Sequence, residues 1–463
     1  MKKEEKVVLL VPPGSKKYLR DYYCGKVSKA NYYMQPIDLL MQTSWLHRSF
    51  ELLLFDIQIN PKSEGDFWEK IKSNKIKAIF MITGSASWAE DYDFIKKIRE
   101  KYKGLIAISG DIFMGDPVCF LDRFPELDII ITDFTTPCLE SFLNGKKDSL
   151  ENIFYRDEHG EVTGKFVYLP KGTFTMPRPR YEIFDPEFYS YPFSMNYPMA
   201  TVLTDFGCPY QCKFCTAGII GFKERPLNEV ANDLHWLKEA GYNEIYFVDQ
   251  TFGAKKERRE ELLDLISPLK FSWSCYSRAD IWEKDDLIKM KESGCHTMIF
   301  GVESGNESTL QNITKGESIE DIRKVFSYCK EINIRRVGTF ILGFPGETSE
   351  QIQATINLAI SLDPDYASFN IPIARPGTNL TKEAVSKKLI NQDVYIQDQS
   401  GSSSVFDSDE IDLIYWQNKA LREFYLRPSY LWRTIKKTRN FFQLKQLIIE
   451  GIEVLNKALW KGN

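Results

Sequence analysis

The chain has 463 residues, which at roughly 100–200 residues per domain predicts two to four domains. Hydrophobic residues make up 43% and charged residues 27%, a balance that excludes a disordered or fibrous protein. The 60 basic and 64 acidic side chains leave a net charge of −4, so a dedicated nucleic-acid-binding protein is not expected. We find neither a membrane-spanning apolar run nor a secretory signal pattern, and we therefore expect a cytoplasmic protein.

Residues 1–150 alternate short apolar runs with amphipathic stretches. Such alternation predicts a Rossmann-like, doubly wound parallel sheet that binds ligands at the carboxyl ends of its strands. No G-x-G-x-x-G follows the first run, so a nicotinamide or flavin dinucleotide is not expected there. The predicted strands are Val7–Val11, Leu52–Ile59, Ile76–Thr83, Leu105–Ser109 and Asp128–Thr132.

Residues 151–198 contain a predicted hairpin, Ile153–Leu169, and then a linker rich in proline and aromatic residues. Strand–helix alternation resumes over residues 199–380, where six βα units predict a partial barrel with its chemistry at the carboxyl ends of the strands. Residues 381–463 are expected to be helical apart from a polar loop near 390–410. The predicted barrel strands are Ala200–Phe206, Glu244–Val248, Phe271–Tyr276, Thr297–Val302, Arg336–Leu342 and Tyr366–Ile371.

The most specific pattern is C-x₃-C-x₂-C, formed by Cys208, Cys212 and Cys215 directly after a predicted strand. Nine cysteines in so long a chain do not indicate a disulfide framework, and thiolates bind iron or zinc. A structural zinc site takes four ligands, and the nearest histidine is the distant His235. Three cysteines favour an iron–sulfur cluster with one open iron, with zinc or incidental cysteines as the weaker alternatives.

The triplet resembles the cluster motif of the radical S-adenosylmethionine (radical SAM) superfamily, including the aromatic residue before its last cysteine. Further segments resemble the family in the expected order, and the Arg-Pro-Gly-Thr turn at 375–378 resembles the subgroup with an N-terminal cobalamin-binding domain. The resemblance implies a [4Fe-4S] cluster on the three cysteines, which are also the catalytic residues, together with S-adenosylmethionine and cobalamin. The cofactor-binding residues implied for the barrel are Phe214, Asp249, Gln250, Arg278, Glu303, Ser304 and Gly343.

Several of these positions have a structural alternative. Asp249 and Glu303 also suit ordinary carboxylates at strand ends, Arg278 suits an ion pair, and Phe214 suits packing. Gly343 is expected to let the backbone approach closely. The scattered Cys275, Cys295 and Cys329 are interpreted as core or surface residues.

The cobalamin prediction rests on the N-terminal domain. The D-x-H-x-x-G motif, whose histidine binds cobalt in many cobalamin proteins, is absent, and His47 on a predicted helix is interpreted as structural. Cobalt is therefore expected to lack a histidine below it. The residues predicted to contact cobalamin follow the strands, and the Tyr-rich segment 18–33 either covers the corrinoid or packs on the barrel. The four predicted contacts are Thr83, Ser85, Gly110 and Thr135.

The resemblance implies an enzyme that methylates an unactivated carbon of a small-molecule or lipid-like substrate. A 5′-deoxyadenosyl radical removes hydrogen and methylcobalamin supplies the methyl group, with flavodoxin or ferredoxin as reductant. The alternatives are cyclisation, oxidation or rearrangement with the same cofactors, and a non-catalytic corrinoid-binding protein. Methylthio transfer is disfavoured because Cys24, Cys119 and Cys138 are too widely spaced for a second cluster.

The C-terminal segment 427–445 carries six basic residues, no acidic residue and four aromatic residues. Helices that pack their aromatic residues on the barrel are the simpler interpretation. Contact with an anionic lipid surface or a phosphate group of the substrate is the alternative, since basic and aromatic side chains favour such surfaces.

Overall fold

The computed structural model describes residues 3–23, 25–28, 32–148, 150–390 and 411–437. The chain divides into two compact units, Met1–Cys275 with Ala374–Asp398, and Tyr276–Ile373 with Gln399–Asn463. The predicted loop near 390–410 falls largely outside the described residues, as do Cys24 and the end of the C-terminal basic segment. In the part of the chain that is described, no helix is both long and apolar enough to cross a membrane.

The first unit opens with a seven-stranded sheet of order β4-β1-β5-β6-β7-β8-β9. Five parallel strands, β4, β1, β5, β6 and β7, confirm the predicted doubly wound sheet. Its elements are β1 Lys6–Val11, β2 Tyr18–Leu19, β3 Lys26–Val27, α1 Ile37–Ser49, β4 Glu51–Asp56, α2 Glu64–Lys70, β5 Ile76–Ile82, α3 Trp88–Lys101, β6 Leu105–Ser109, α4 Pro117–Arg123, β7 Ile129–Ile131, α5 Cys138–Leu143, β8 Ile153–Arg156 and β9 Val162–Gly164.

The strand order places a topological switch point between β1 and β5, because their connections leave in opposite directions. The central strands are apolar along their whole length because helices cover both faces of a parallel sheet. Ile129–Ile131, for example, is completely buried. The predicted hairpin is confirmed, since β8 pairs antiparallel with β9 around a turn at Asp157–Gly160.

The first unit continues into the predicted barrel, with β10 Lys171–Thr173, β11 Met199–Val202, β12 Asp205–Gly207, β13 Phe222–Glu224, α6 Leu227–Glu239, β14 Glu244–Phe247, α7 Lys256–Ile266 and β15 Ser272–Ser277. Strands β11, β14 and β15 are parallel neighbours, whereas β12 pairs antiparallel with β13 in a separate sheet. The single predicted strand Ala200–Phe206 is therefore wrong, and the chain leaves the barrel sheet at Leu203–Thr204.

The second unit contains three parallel strands, β16 Cys295–Glu303, β17 Arg335–Ile341 and β18 Tyr366–Asn370, with β17 between the other two. Two of its helices begin at capping boxes, which Ser318 and Thr348 form with the residue three positions later. The remaining elements are α8 Lys284–Glu292, α9 Glu307–Asn312, α10 Ile319–Glu331, α11 Ser349–Leu362, α12 Asn379–Ser386 (which belongs to the first unit), α13 Leu413–Tyr425 and α14 Pro428–Lys437.

Candidate active site

The three motif cysteines lie on the loop that joins β12 to β13. All three are half-buried and free of disulfide bonds. The loop folds back on itself: Cys208 N donates to Gly221 O at 2.9 Å, and Cys215 N donates to Cys212 O at 3.1 Å. One short loop therefore carries three accessible thiols at the first strands of the barrel region.

These thiols fit an iron–sulfur cluster by their number and chemistry, since each can bind a different iron. Over the described ranges, no group of three or more His, Cys, Asp or Glu side chains is arranged to hold a metal ion. The fit therefore rests on the donor set and its spacing along one loop. Thr216 Oγ1, beside the last cysteine, is buried without a hydrogen-bond partner and offers a polar contact to a bound group.

Asp249, directly after β14, holds the corner that leads into the cysteine loop. Its Oδ1 accepts the backbone N–H groups of Thr204 and Asp205 at 2.7 and 3.1 Å, and its Oδ2 accepts Thr204 Oγ1 at 2.5 Å. Burial raises the pKa of Asp249, and these hydrogen bonds oppose the rise. The carboxylate predicted to bind the cofactor thus supports the loop, and it explains why β11 and β12 are separate strands.

Arg258 on α7 fixes the same corner from the other side. Its Nε donates to Asp205 Oδ1 at 2.9 Å, and its Nη2 donates to Thr204 O at 3.0 Å. Two residues beyond Asp249, Thr251 Oγ1 lies 3.2 Å from Cys208 Sγ. Gln250, between them, is half-buried, and so is Phe214 in the cysteine loop. Sequence reasoning included Asp249 and Gln250 but missed Thr204, Thr251 and Arg258.

The hydroxyl groups predicted to contact cobalamin all donate to carboxylates of the same unit. The bonds run from Thr83 Oγ1 to Asp91 Oδ2 (2.6 Å), from Ser85 Oγ to Asp111 Oδ2 (2.9 Å) and from Thr135 Oγ1 to Asp133 Oδ1 (2.6 Å). Each of these hydroxyl residues is buried, as is Gly110. The four residues therefore lie at the carboxyl end of the sheet, where the hydroxyl groups of three of them organise the loops.

Arg20 closes the switch point of the sheet. It forms a buried ion pair with Asp91 at 2.6 Å and donates to Gln58 Oε1 at 2.6 Å and Pro13 O at 3.0 Å. These contacts connect the loops after β1, β4 and β5 to the segment that carries β2. Sequence reasoning missed this network because its members lie 38 and 71 residues apart.

The Tyr-rich segment 18–33 packs against β12, the strand that leads into the cysteine loop. Tyr22 makes edge-to-face contact with Phe134 at 5.2 Å between ring centroids and a tilted contact with Phe206 at 5.9 Å. Tyr23 Oη accepts the N–H of Gly207 at 3.4 Å. The described part of the segment thus has the packing role that the sequence left as one of two alternatives.

Two buried polar atoms at the carboxyl end of the N-terminal sheet have no hydrogen-bond partner and therefore fit a bound cobalamin. Thr132 Oγ1, directly after β7, and Gln35 Nε2, just before α1, are buried without a hydrogen-bond partner. The amide groups of a corrinoid are suitable partners for both. His47, in contrast, donates from Nδ1 to the carbonyl of Thr43 in its own helix at 2.8 Å, and burial lowers its pKa.

Lys223 on β13, the strand after the cysteine loop, contacts the segment that follows β7. Its Nζ lies 2.5 Å from Asp133 Oδ2 and 2.7 Å from Thr135 Oγ1, and it also lies 4.6 Å from the ring centroid of Phe206. Because both charges are buried, each depends on the other for compensation. This ion pair was not predicted from the sequence.

The second unit holds a separate cluster of buried charges after β16. Glu303 has a φ of +65°, a left-handed conformation that costs a non-glycine residue of order 1–3 kcal/mol. Its carboxylate lies 3.6 Å from Lys315 Nζ, which is also 3.4 Å from Glu317. Burial raises the pKa of Glu303. Such strain is typical of functional sites.

Arg278, after β15, pairs with Asp280 at 2.8 Å and lies 3.7 Å from Glu317. The cluster thus contains two cationic and three anionic side chains. Two of the carboxylates, Glu303 and Glu317, are buried, whereas Asp280 is exposed. A buried carboxylate at this position suits an ammonium group or hydroxyl groups of a ligand. Lys315, Asp280 and Glu317 were not among the residues predicted from the sequence.

Glu347 organises the loop after β17. Its Oε2 accepts the N–H groups of Gly343 and Phe344, both at 2.9 Å, and Ser304 Oγ donates to its Oε1 at 3.3 Å. Gly343 has a φ of +86°, and a Cβ there would lie 2.0 Å from Leu413, so only glycine fits without rearrangement. The predicted Ser304 and Gly343 are therefore joined through Glu347.

The remaining barrel cysteines match their predicted role. Cys275, Cys295 and Cys329 are buried in or beside strands and helices. Burial raises the pKa of the Cys329 thiol, which is therefore an unreactive core residue.

Comparison with known proteins finds a family model that matches the stretch of chain containing most of these residues. Residues 203–359 match the family model of the radical SAM superfamily. This range begins just before the corner held by Asp249 and ends within α11. It contains the three motif cysteines, Asp249, Arg278, Glu303 and Gly343.

An uncharacterized methyltransferase of Pyrococcus horikoshii is 33% identical to the chain over 279 residues. The aligned region is 58% of this chain and 59% of the relative. The chain thus spans somewhat more than half the length of this curated relative.

Two solved structures share the fold at low sequence identity. The radical S-adenosylmethionine methyltransferase TsrM of Kitasatospora setae, with cobalamin and a [4Fe-4S] cluster bound, has a TM-score of 0.67 at 14% identity and covers 98% of this chain and 99% of its own. The cobalamin-dependent radical enzyme OxsB, with aqua-cobalamin and S-adenosylmethionine bound, also has a TM-score of 0.67, at 16% identity, covering 98% of this chain and 71% of its own. Residues 203–359 are therefore similar to a radical SAM domain, and the chain shares the α/β fold of these two solved structures.

Proposed function

We propose that this protein is a cobalamin-dependent radical SAM enzyme that transfers a methyl group to carbon. The observation that carries the proposal is the cysteine triplet on the loop between β12 and β13, inside the matched radical SAM domain. The doubly wound sheet that precedes this domain supports cobalamin as the second cofactor. The relative from Pyrococcus horikoshii, which is named as an uncharacterized methyltransferase, supports methyl transfer.

Cys208, Cys212 and Cys215 hold the [4Fe-4S] cluster in this proposal. When bound and reduced, the cluster supplies the electron that cleaves S-adenosylmethionine. The chain positions the loop through Asp249 and Arg258, because these residues fix the backbone from which Cys208 projects. Positioning of this kind matters since a displacement of about 1 Å at a reacting centre can cost on the order of a hundredfold in rate.

S-adenosylmethionine is held in this proposal by the cluster of buried charges in the second unit. Glu303 accepts hydrogen bonds from ribose hydroxyl groups or from the ammonium group. When the site is empty, Lys315 compensates the negative charge of the Glu303 carboxylate. Arg278 positions Glu317, which in turn accepts the N–H of Ala279 at 2.7 Å. These roles use the strained backbone of Glu303, which would otherwise only destabilise the fold.

Cobalamin binds at the carboxyl end of the N-terminal sheet, with Thr132 and Gln35 as polar contacts. His47 is not its ligand in this proposal, because the D-x-H-x-x-G motif does not surround it. We further propose a small-molecule or lipid-like substrate, a flavodoxin or ferredoxin as reductant, and a cytoplasmic location. We also propose four domains: an N-terminal sheet over 1–150, a hairpin and linker over 151–198, a partial barrel over 199–380 and a helical region over 381–463.

Anaerobic purification tests the cofactors directly. We expect about four irons and four sulfides per chain after reconstitution, corrinoid absorbance bands, and 5′-deoxyadenosine on reduction with S-adenosylmethionine. A product heavier than its substrate by one methylene group identifies methyl transfer. An unchanged or lighter product would instead identify oxidation, cyclisation or rearrangement, and the absence of both iron and corrinoid would contradict the proposal.

A further inference from the structure

The cysteine loop makes one side-chain contact that the proposed chemistry does not require. Thr251 Oγ1 lies 3.2 Å from Cys208 Sγ, within hydrogen-bonding distance for an oxygen–sulfur pair. Thr251 is only 3% exposed, so water competes little for its hydroxyl group. The two residues come from different loops, 43 positions apart in the chain.

The backbone on both sides of this contact is fixed. On one side, the carboxylate of Asp249 binds Thr204 and Asp205, which precede Cys208 by four and three positions. On the other, Cys208 N donates to Gly221 O at 2.9 Å. Gly207 has a φ of +78°, and a Cβ there would lie 2.0 Å from Gly221 O. The Cys208–Thr251 contact is therefore built into the loop pair and does not depend on one flexible side chain.

The direction of this hydrogen bond follows from the chemistry of the ligand. A cysteine that binds iron is a thiolate and has no proton to donate. The hydroxyl group of Thr251 must then be the donor, and the sulfur the acceptor. Hydrogen bonds to cluster sulfurs are among the determinants of the reduction potential of an iron–sulfur cluster.

We propose that Thr251 raises the reduction potential of the cluster held by Cys208, Cys212 and Cys215. This inference rests on the proposed function. Reduction adds one electron to the cluster from a flavin or iron–sulfur reductant, and it forms or breaks no bond to Thr251. The added negative charge spreads onto the cysteine sulfurs, where a hydrogen-bond donor stabilises it, so the reduced state gains more than the oxidised state. Thr251 is thus a positioning and tuning residue in the second layer around the cluster.

The test is a redox titration of the reconstituted protein, followed by electron paramagnetic resonance of the reduced cluster. Thr251→Val keeps the shape of the side chain and removes the hydroxyl group. We expect the equilibrium constant for reduction to fall by about tenfold, which corresponds to about 59 mV for one electron. Thr251→Ser, which retains the donor, is expected to keep a potential near that of the wild type.

Thr201→Val is the matched control, because Thr201 is equally buried on β11 and its hydroxyl group has no partner. The same loss of a hydroxyl group there is expected to leave the potential unchanged. If Thr251→Val does not assemble a cluster, Thr251→Ala takes its place, since it removes the donor without a branched side chain.

Two failures are distinguishable. A wild-type protein that binds no cluster contradicts the proposed function itself. A wild-type protein that binds four irons, with a potential that neither Thr251→Val nor Thr251→Ala lowers, contradicts only the role of Thr251. An equal shift in Thr201→Val also overturns it, because the effect would then come from packing and not from the hydrogen bond.

Discussion

Arg375 and Asp111 form a buried ion pair, with Nη1 3.3 Å from Oδ2, although they lie 264 residues apart in the chain. Asp111 also accepts the N–H groups of Gly25 and Ser85, both at 2.8 Å. One carboxylate thus connects the Arg-Pro-Gly-Thr turn to the loops after β5 and β6. The turn that resembles the cobalamin-dependent subgroup is therefore bound to the sheet proposed to hold cobalamin.

Arg375→Met is expected to destabilise the protein by about 3 kcal/mol, since removal of one partner leaves a buried charge uncompensated. The urea midpoint of the apoprotein measures the loss. Adding Asp111→Asn to this variant is expected to recover part of the lost stability, because the uncompensated negative charge of Asp111 is then removed. Lys72→Met, which breaks the exposed pair with Glu69, is the control and is expected to leave the midpoint unchanged. Equal effects at the two sites would contradict a special role for the buried pair.

The parallel strands were predictable because both of their faces are buried. The prediction for β6 has the observed bounds, Leu105–Ser109, and that for β7 is one residue too long at each end. A continuous apolar run is the direct consequence of helices on both sides of a sheet. The end of β11 was not predictable in this way, because it depends on Asp249, 45 positions after Thr204 in the chain.

The site was predictable where a motif concentrates the chemistry in a few adjacent residues, as in the cysteine triplet. It was not predictable where the partner of a side chain lies on another element. Thr83 and Ser85 have the composition of ligand-binding residues, yet their hydroxyl groups donate to Asp91 and Asp111. Thr132, in contrast, has a buried hydroxyl group without a partner, and nothing local in the sequence distinguishes it from Thr83.

Replacing Cys208, Cys212 or Cys215 with alanine is expected to remove the iron and to abolish 5′-deoxyadenosine formation, because each thiolate binds its own iron. Iron and sulfide counts and product chromatography measure both effects. Cys119, which is exposed, and Cys275, Cys295 and Cys329, which are buried, supply the control variants. Four irons in the triple alanine variant, together with retained cleavage, would refute the assignment.

Asp38 on α1 makes the stability dependent on pH. Its carboxyl group accepts Ser109 Oγ at 2.6 Å, and burial raises its pKa to about 8, against 3.8 for an ordinary aspartate. Between these values the folded protein holds a proton that the unfolded chain has lost. The contribution of Asp38 to stability is therefore present at acidic pH and falls as the pH rises toward 8.

Asp38→Asn removes this titration. We expect the wild type to lose up to about 1.4 kcal/mol of stability per pH unit relative to the variant between pH 4 and 8. Thermal or urea unfolding of the two proteins across this range measures the difference. A constant difference across the range would show that Asp38 has the same pKa in the folded and unfolded states.

The C-terminal segment supports both interpretations drawn from its sequence. Arg427 and Arg433 pair with Asp363, and Tyr430 is buried and donates to Asp365 O at 3.0 Å. These contacts match a helix packed on its unit. Trp432, in contrast, is 62% exposed, and Lys436 lies 4.9 Å from its ring centroid.

We therefore expect any membrane contact to use Trp432 with Lys436. Each basic residue near an anionic membrane contributes roughly 1 kcal/mol, and an indole ring favours the interface. Sedimentation with anionic vesicles is expected to retain the wild type at low salt, and Lys436→Glu with Lys437→Glu is expected to release it. Lys70→Glu with Lys72→Glu, at and just after the end of α2, makes the same change in charge and is expected to have no effect. Equal binding to neutral vesicles, or binding to neither kind, would leave the segment as packing alone.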